Sequence, residues 1–360
     1  MDDGYDGHYF VQSDFSAVFA GDLPLSRFDD VQAFGTIRAL CIPGAWNSGP
    51  ECAGASQLPA SSRQQAMGAS LAVGYASDRF RIDIGSTPVG FPVSTMVGGM
   101  GFSGSLGKAY YSADIFRRPY ANSLLSYAGV HDPVTGSVWG GVTSNGAGFY
   151  AGADVLRTES GSLSTFLQAN AAWLEGHHVR GNTSLMVRTG AAWRFIDEKD
   201  MQLSLGITGM YFGFDNNQRH YTYGYGGYWS PQQYLAIAPP LEWSGRSGRD
   251  FSYMLRGYAS FAYSQEDGGA YYPTSSALQL SPLNSNASYA ASSGAALAYG
   301  IRGKVEYRVS PEFYLGAHFE KAQSPYYNPN YGGIYFRYAF EPSDLPMEFP
   351  PENPLPYYRF

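Results

Sequence analysis

The chain has 360 residues, including 44 glycines, 30 tyrosines and 22 phenylalanines, and only 15% are charged. That charge content is low for a soluble domain, and 16% aromatics excludes a disordered chain. The net charge of -7 excludes a basic face for nucleic acid, so no nucleic-acid partner is expected.

Met1, Asp2 and Asp3 open the chain without the basic and apolar segments of a secretion signal, so an exported protein would carry its signal upstream. Residues 9–19 read as a first strand of alternating character. A polar stretch rich in Pro, Gly and Ser follows, with Cys41 and Cys52 in it. Two cysteines are too few for a zinc site or a disulfide scaffold. They suit one disulfide in an oxidising compartment, or two free thiols.

Alternation returns at 71–76, 79–84, 108–116, 147–156 and 163–174. Residues 84–107 carry no charge but hold Pro88, Pro92 and seven glycines. Residues 268–301 are equally uncharged but dense in Ser, Ala, Asn and Tyr. Neither is an apolar run of about 20 residues, which excludes membrane-spanning helices.

In 185–195, Leu185, Val187, Trp193 and Phe195 oppose Arg188 and Arg194. Another strand follows at 201–212, then a long connector at 213–232. In 251–263, Phe251, Tyr253, Leu255, Phe261 and Tyr263 share one face, and Arg256, Tyr258 and Ser260 the other. The connector 264–294 has no charge after Asp267, and its length places it outside the cell, folded over a pore mouth. The strongest pattern is 299–309, where Tyr299, Ile301, Val305, Tyr307 and Val309 oppose Arg302, Lys304, Glu306 and Arg308. In 313–320, Tyr314, Gly316, His318 and Glu320 oppose apolar residues. In 334–340, Tyr335 and Arg337 do the same.

A soluble sandwich would put Lys, Glu and Thr on its solvent face. Here the polar face is mostly Gly, Ser, Gln and Arg, and aromatics flank the strand ends. This fits an all-β fold: a transmembrane antiparallel β-barrel of about 16 strands with a polar lumen, set in a bacterial outer membrane. The barrel is expected over residues 1–340, with a tail over 341–360.

The lumen candidates are Arg188, Arg194, Arg256, Tyr258, Arg302, Lys304, Glu306, Arg308, Tyr314, His318, Glu320, Tyr335 and Arg337. Both charge signs occur, which suits a neutral, hydroxyl-rich passenger better than a selected ion. The same charges would also serve as braces of the wall. The histidines are His8, His131, His177, His178, His220 and His318, and no hydrolase, zinc or phosphate-loop motif accompanies them. No catalysis, cofactor or metal is expected. In the tail, six prolines favour an extended path. Tyr357, Tyr358 and Phe360 either belong to a loose end or stand at the periplasmic entrance.

Several segments resemble the C-terminal barrel domain of bacterial cellulose synthase operon protein C (the BcsC family). They are Tyr221-Thr-Tyr-Gly-Tyr-Gly-Gly-Tyr-Trp-Ser-Pro-Gln-Gln-Tyr-Leu235, Pro240-Leu-Glu-Trp243, Asp83-Ile-Gly-Ser-Thr-Pro-Val-Gly-Phe-Pro-Val93, Arg117-Arg-Pro119, Ser123-Leu-Leu-Ser-Tyr-Ala-Gly129 and Asp132-Pro-Val-Thr-Gly136. The resemblance runs from about residue 67 to the end. Residues 1–66 match less well, and the 41–65 stretch departs from the family.

The resemblance implies a 16-stranded barrel that passes a β-1,4-glucan out of the periplasm. The implied partners are that glucan chain, outer-membrane lipid, a periplasmic tetratricopeptide (TPR) region of the full-length protein and the inner-membrane cellulose synthase complex. Such a pore is passive. Alternatives are a porin exporting another exopolysaccharide and an outer-membrane barrel hydrolase.

Overall fold

The structure, a computed structural model, describes residues 8–22, 63–77, 79–131, 137–280, 287–324, 330–339 and 344–351. Cys41, Cys52, Tyr357, Tyr358 and Phe360 lie outside the described residues. The strands are β1 (His8–Asp22), β2 (Arg63–Ala76), β3 (Phe80–Ser86), β4 (Met96–Leu106), β5 (Ala109–Pro119), β6 (Val130–His131), β7 (Val138–Thr158), β8 (Gly161–His177), β9 (Asn182–Asp197) and β10 (Met201–Phe214). They continue with β11 (Gln233–Ala238), β12 (Pro240–Ser247), β13 (Phe251–Glu266), β14 (Gly269–Ala270), β15 (Ser288–Tyr289), β16 (Ser292–Arg308), β17 (Phe313–Gln323) and β18 (Asn330–Tyr338). Two short helices, α1 (Leu124–Ala128) and α2 (Ser276–Gln279), lie in connectors.

Sixteen strands form one antiparallel sheet in chain order from β1 to β18, while β14 and β15 pair separately. β11 and β12 are successive halves of one stave between β10 and β13, and β6 pairs with the start of β7. The stave breaks at Pro239 and Pro240, because proline has no N–H to give to the ladder.

Alternating side chains give this sheet two unlike faces. On β16, Ile301, Val305 and Tyr307 are 42%, 40% and 50% exposed, whereas Glu306 and Arg308 are 3% and 7% exposed. Apolar residues exposed on strand after strand from β2 to β18 need lipid as their solvent. Trp173, Trp243 and Tyr307 stand on the same outer face. No described helix is long and apolar enough to cross a membrane.

Connectors alternate in length. Residues 107–108, 159–160, 198–200, 248–250 and 309–312 turn tightly at one end. The described parts of the long connectors 87–95, 120–137, 215–232 and 267–291 gather at the other. There they pack into a cap with a core of its own. Leu124, Leu125, Val130 and Trp139 are buried together, with Tyr221 and Tyr223 against them. The Trp139 Nε1–H donates to the Tyr225 carbonyl at 2.9 Å, joining the start of β7 to the 215–232 connector. Tyr225, Tyr271, Tyr272 and Tyr289 form a second cluster with 267–291, and the His220 ring stacks on Tyr289 at 3.5 Å. Gly140, at φ 106°, lies where a Cβ would collide with the Leu125 carbonyl, so only glycine lets β7 bend under α1.

At the tight-turn end, residues 344–351 run beneath the barrel. The Met347 N–H donates to the Arg249 carbonyl at 2.9 Å, and Arg308 Nη1 donates to the Leu345 carbonyl at 2.7 Å. Arg246 Nη1 reaches the Met347 carbonyl at 3.2 Å.

Candidate functional site: the inner wall of the barrel

The inward residues of β9–β18 form a continuous polar wall. Arg194, Ser204, Glu242, Arg256, Arg302 and Glu320 are successive register partners across β9, β10, β12, β13, β16 and β17. Arg256 and Arg302 oppose each other directly, an arrangement that repels unless carboxylates flank it. They do: Arg256 Nη1 lies 3.4 Å from Glu242 Oε2, and Glu320 is the register partner of Arg302. Arg194 also faces Asp197 at 3.4 Å.

One register step toward the tight turns, Lys304 opposes His318. A further step brings Glu306, whose carboxylate accepts from the Tyr335 hydroxyl at 2.8 Å and Arg337 Nη2 at 2.6 Å. The Arg337 guanidinium carbon lies 3.9 Å from the centre of the Tyr314 ring. Arg308 is bound to Asp250 at 2.6 Å and to the tail, so it anchors the rim.

Arg188, Arg256, Tyr258, Arg302 and Glu320 line one cavity of about 400 Å³ together with Phe212, Trp229 and Tyr234. Those three rings are 4.6–5.3 Å apart, and Trp229 Nε1 donates to Glu266 Oε1 at 2.9 Å. In the cap, burial holds the Tyr228 phenol well above its usual range, so it stays a neutral hydroxyl that accepts from Asn182 Nδ2 at 3.2 Å.

Sequence reasoning missed two features of the wall. The first is a buried bidentate pair: Arg118 Nη1 and Nη2 donate to both Asp83 carboxylate oxygens at 2.7 Å. Arg118 on β5 reaches Asp83 on β3 across Gly99 of β4, where a Cβ would lie 2.9 Å from Arg118 Nη2. The second is a set of aromatic rings laid flat on glycines of the neighbouring strand. Tyr110 covers Gly152, Phe166 covers Gly190, Tyr258 covers Gly300 and Tyr335 covers Gly316. A Cβ on Gly152, Gly190 or Gly300 would come within 2.5, 2.7 or 2.6 Å of the covering side chain. Rings held this way turn a face to the lumen and leave its bore clear. The signal lay in the sequence as inward Tyr and Phe facing inward Gly, but reading it needs the strand register.

Among the described residues, no group of three His, Cys, Asp or Glu side chains is placed to hold a metal ion.

An antiparallel barrel with an apolar exposed outside and a polar inside is an outer-membrane β-barrel protein. The profile of the family described as "Cellulose synthase operon protein C C-terminus" matches residues 1–341, and the chain belongs to that family of the bacterial outer membrane. It is 33% identical over 321 residues to cellulose synthase operon protein C of Pseudomonas fluorescens, covering 88% of this chain and 24% of that one. It is 33% identical over 302 residues to cellulose synthase 2 operon protein C of Komagataeibacter xylinus, covering 83% of this chain and 22% of that one. The Salmonella typhimurium relative is 31% identical over 301 residues, covering 81% of this chain and 24% of that one. The chain thus spans about a quarter of the length of the curated relatives it matches. A solved structure titled "Bacterial polysaccharide outer membrane secretin" overlays 76% of this chain and 81% of its own, with TM-score 0.47 and 12% identity. At that score the overlay adds nothing to the assignment.

Proposed function

We propose that this barrel is a passive export channel for a β-1,4-glucan, fed by an inner-membrane cellulose synthase. The observation that carries this reading is the inner wall: charges of both signs set in register with one another, and aromatic rings flat on glycines. A glucan is uncharged, with hydroxyls at its edges and C–H faces above and below. Rings stack on those faces, and paired charges exchange hydrogen bonds with the hydroxyls. Many weak contacts hold a polymer and still let it slide. The wall binds and orients, and the push comes from the synthase, so no catalysis is assigned to the barrel.

In an outer-membrane barrel the tight turns face the periplasm and the long loops face outward. The cap of 120–137, 215–232 and 267–291 then lies at the exit, and the tail at the entrance. In the full-length protein a helical-repeat region precedes the barrel and guides the polymer to it. Residues 1–340 form the barrel and 341–360 the tail, whose Tyr357, Tyr358 and Phe360 receive the chain.

The test is in-frame deletion of the barrel region in a cellulose-producing cell. Polymer should disappear from the outside while synthesis continues within. Undiminished extracellular cellulose would overturn the reading. Replacing Tyr357 and Tyr358 with Ala in a correctly inserted barrel should lower secretion, and normal secretion would remove the tail from the mechanism.

A further inference from the structure

Three inward rings on adjacent strands of the first half of the wall form a row. Tyr110 is the second residue of β5, beside the tight turn at 107–108. Its ring centre lies 5.6 Å from that of Tyr150 on β7, and the two hydroxyls are 3.1 Å apart. Tyr150 lies 6.1 Å from Phe166 on β8, with the rings 11° from parallel. The row ends at Arg188 on β9, whose guanidinium carbon is 5.3 Å from the Phe166 centre. Gln168, the register partner of both Tyr150 and Arg188, points to the same side.

Gly152 and Gly190 keep the row flat, because each leaves the space that the ring on the next strand fills. Tyr110 is 51% exposed although it lies on the lumen side. The wall has therefore built a run of apolar ring faces, inclined by 32° and then 11° at successive steps, and left its Tyr110 end wet. Its far end carries a guanidinium and an amide, both donors to hydroxyl oxygens. Steps of 5.6 and 6.1 Å are about the length of one pyranose residue.

We propose that Tyr110, Tyr150 and Phe166 form a stacking subsite for the flat faces of consecutive β-linked pyranose rings, with Gln168 and Arg188 donating to their edge hydroxyls. The subsite rests on the channel reading and gives it a place where the polymer is first held. An all-equatorial β-linked chain presents flat faces in line and lies along such a row. A curved α-linked chain does not.

The test measures binding of cellohexaose to the full chain purified in detergent, by titration calorimetry, with maltohexaose as the control. Cellohexaose should bind more tightly than maltohexaose. Tyr110→Ala should weaken it about tenfold, and Tyr110→Trp should restore or tighten it. Gly152→Ala should weaken it as well, since its Cβ must push the Tyr110 ring off the wall. Heat-modifiable migration on gels reports folding. Should Tyr110→Ala misfold, Tyr110→Leu keeps the bulk and removes the π-face. Native binding of cellohexaose that these variants leave unchanged would overturn the subsite and spare the channel. A native barrel that binds no cellohexaose, or binds both sugars alike, would overturn both.

Discussion

Strands β2–β8 and β9–β18 both line the lumen, but they stabilise their inward charges differently. In the first set, Arg118 and Asp83 are joined bidentately with side chains only 11% and 2% exposed. In the second, Glu242 and Glu320 flank Arg256 and Arg302 along one register row. The Arg256–Glu242 pair there has side chains 20% and 33% exposed. A dry pair fails outright when one partner goes, because the other is left as an uncompensated charge. A wet row loses little, because water and the next residue take over. The first arrangement fixes the shape of the wall. The second presents a surface whose hydrogen bonds are open to exchange with a passing ligand.

Mutation can break this contrast, beginning with the dry pair. Asp83→Ala leaves Arg118 without its carboxylate and should cost about 3–5 kcal/mol, read as loss of the folded band in a urea titration. If the cost is below ~1 kcal/mol, the two halves do not differ as described.

The lipid face is common to both halves and gives a reference. Val305→Arg should cost about 2–4 kcal/mol near the bilayer midplane, against little for Lys304→Arg on the inward side. Cysteines at 301 and 302 sharpen the same point: a thiol reagent that crosses the channel should label the 302 position and spare the 301 position.

Glu306→Gln lies between the extremes. Glu306 is 3% exposed and binds Tyr335 and Arg337, so the loss should be about 1.5–3 kcal/mol in the same titration. The smallest effect is expected for Glu242→Gln, about 0.2–1 kcal/mol and reduced by salt. A larger loss would show that the row is as dry as the Asp83 pair.

How much of this was readable in the sequence depended on what filled the two faces of each strand. β16 was plain because its outward residues are aliphatic or aromatic and its inward ones charged. β4 was not, because Gly98, Gly99, Gly101 and Gly104 give neither face a character, and its charge-free run read only as the absence of a helix. β11 and β12 were hidden by Pro239 and Pro240, which look like a loop. The inward row from Arg188 to Arg337 followed from alternation alone. Asp83 and Arg118 did not, although Arg117-Arg-Pro119 stood out as a family segment. Their pairing crosses an intervening strand, and alternation gives the face of a residue without its height in the wall. The cap escaped for a similar reason: Leu125, Trp139 and Tyr225 meet across 100 residues of chain, and no local period announces the contact.

The double proline in the split stave bears on the mechanics of the wall. The ladders β13–β16, β16–β17 and β17–β18 run without a register shift, so that part of the wall resists bending evenly. At Pro239 and Pro240 two donors are missing at once, between the β10 positions paired to Ala238 and Leu241. The hoop therefore has a soft segment, and it lies just below the ring of Phe212, Trp229 and Tyr234. Amide protons of β10 and β13 facing that gap should exchange with solvent deuterium ahead of those elsewhere in the wall. An elastic tube with one compliant stave changes its cross-section there first, and the load of a moving chain would be felt at that height.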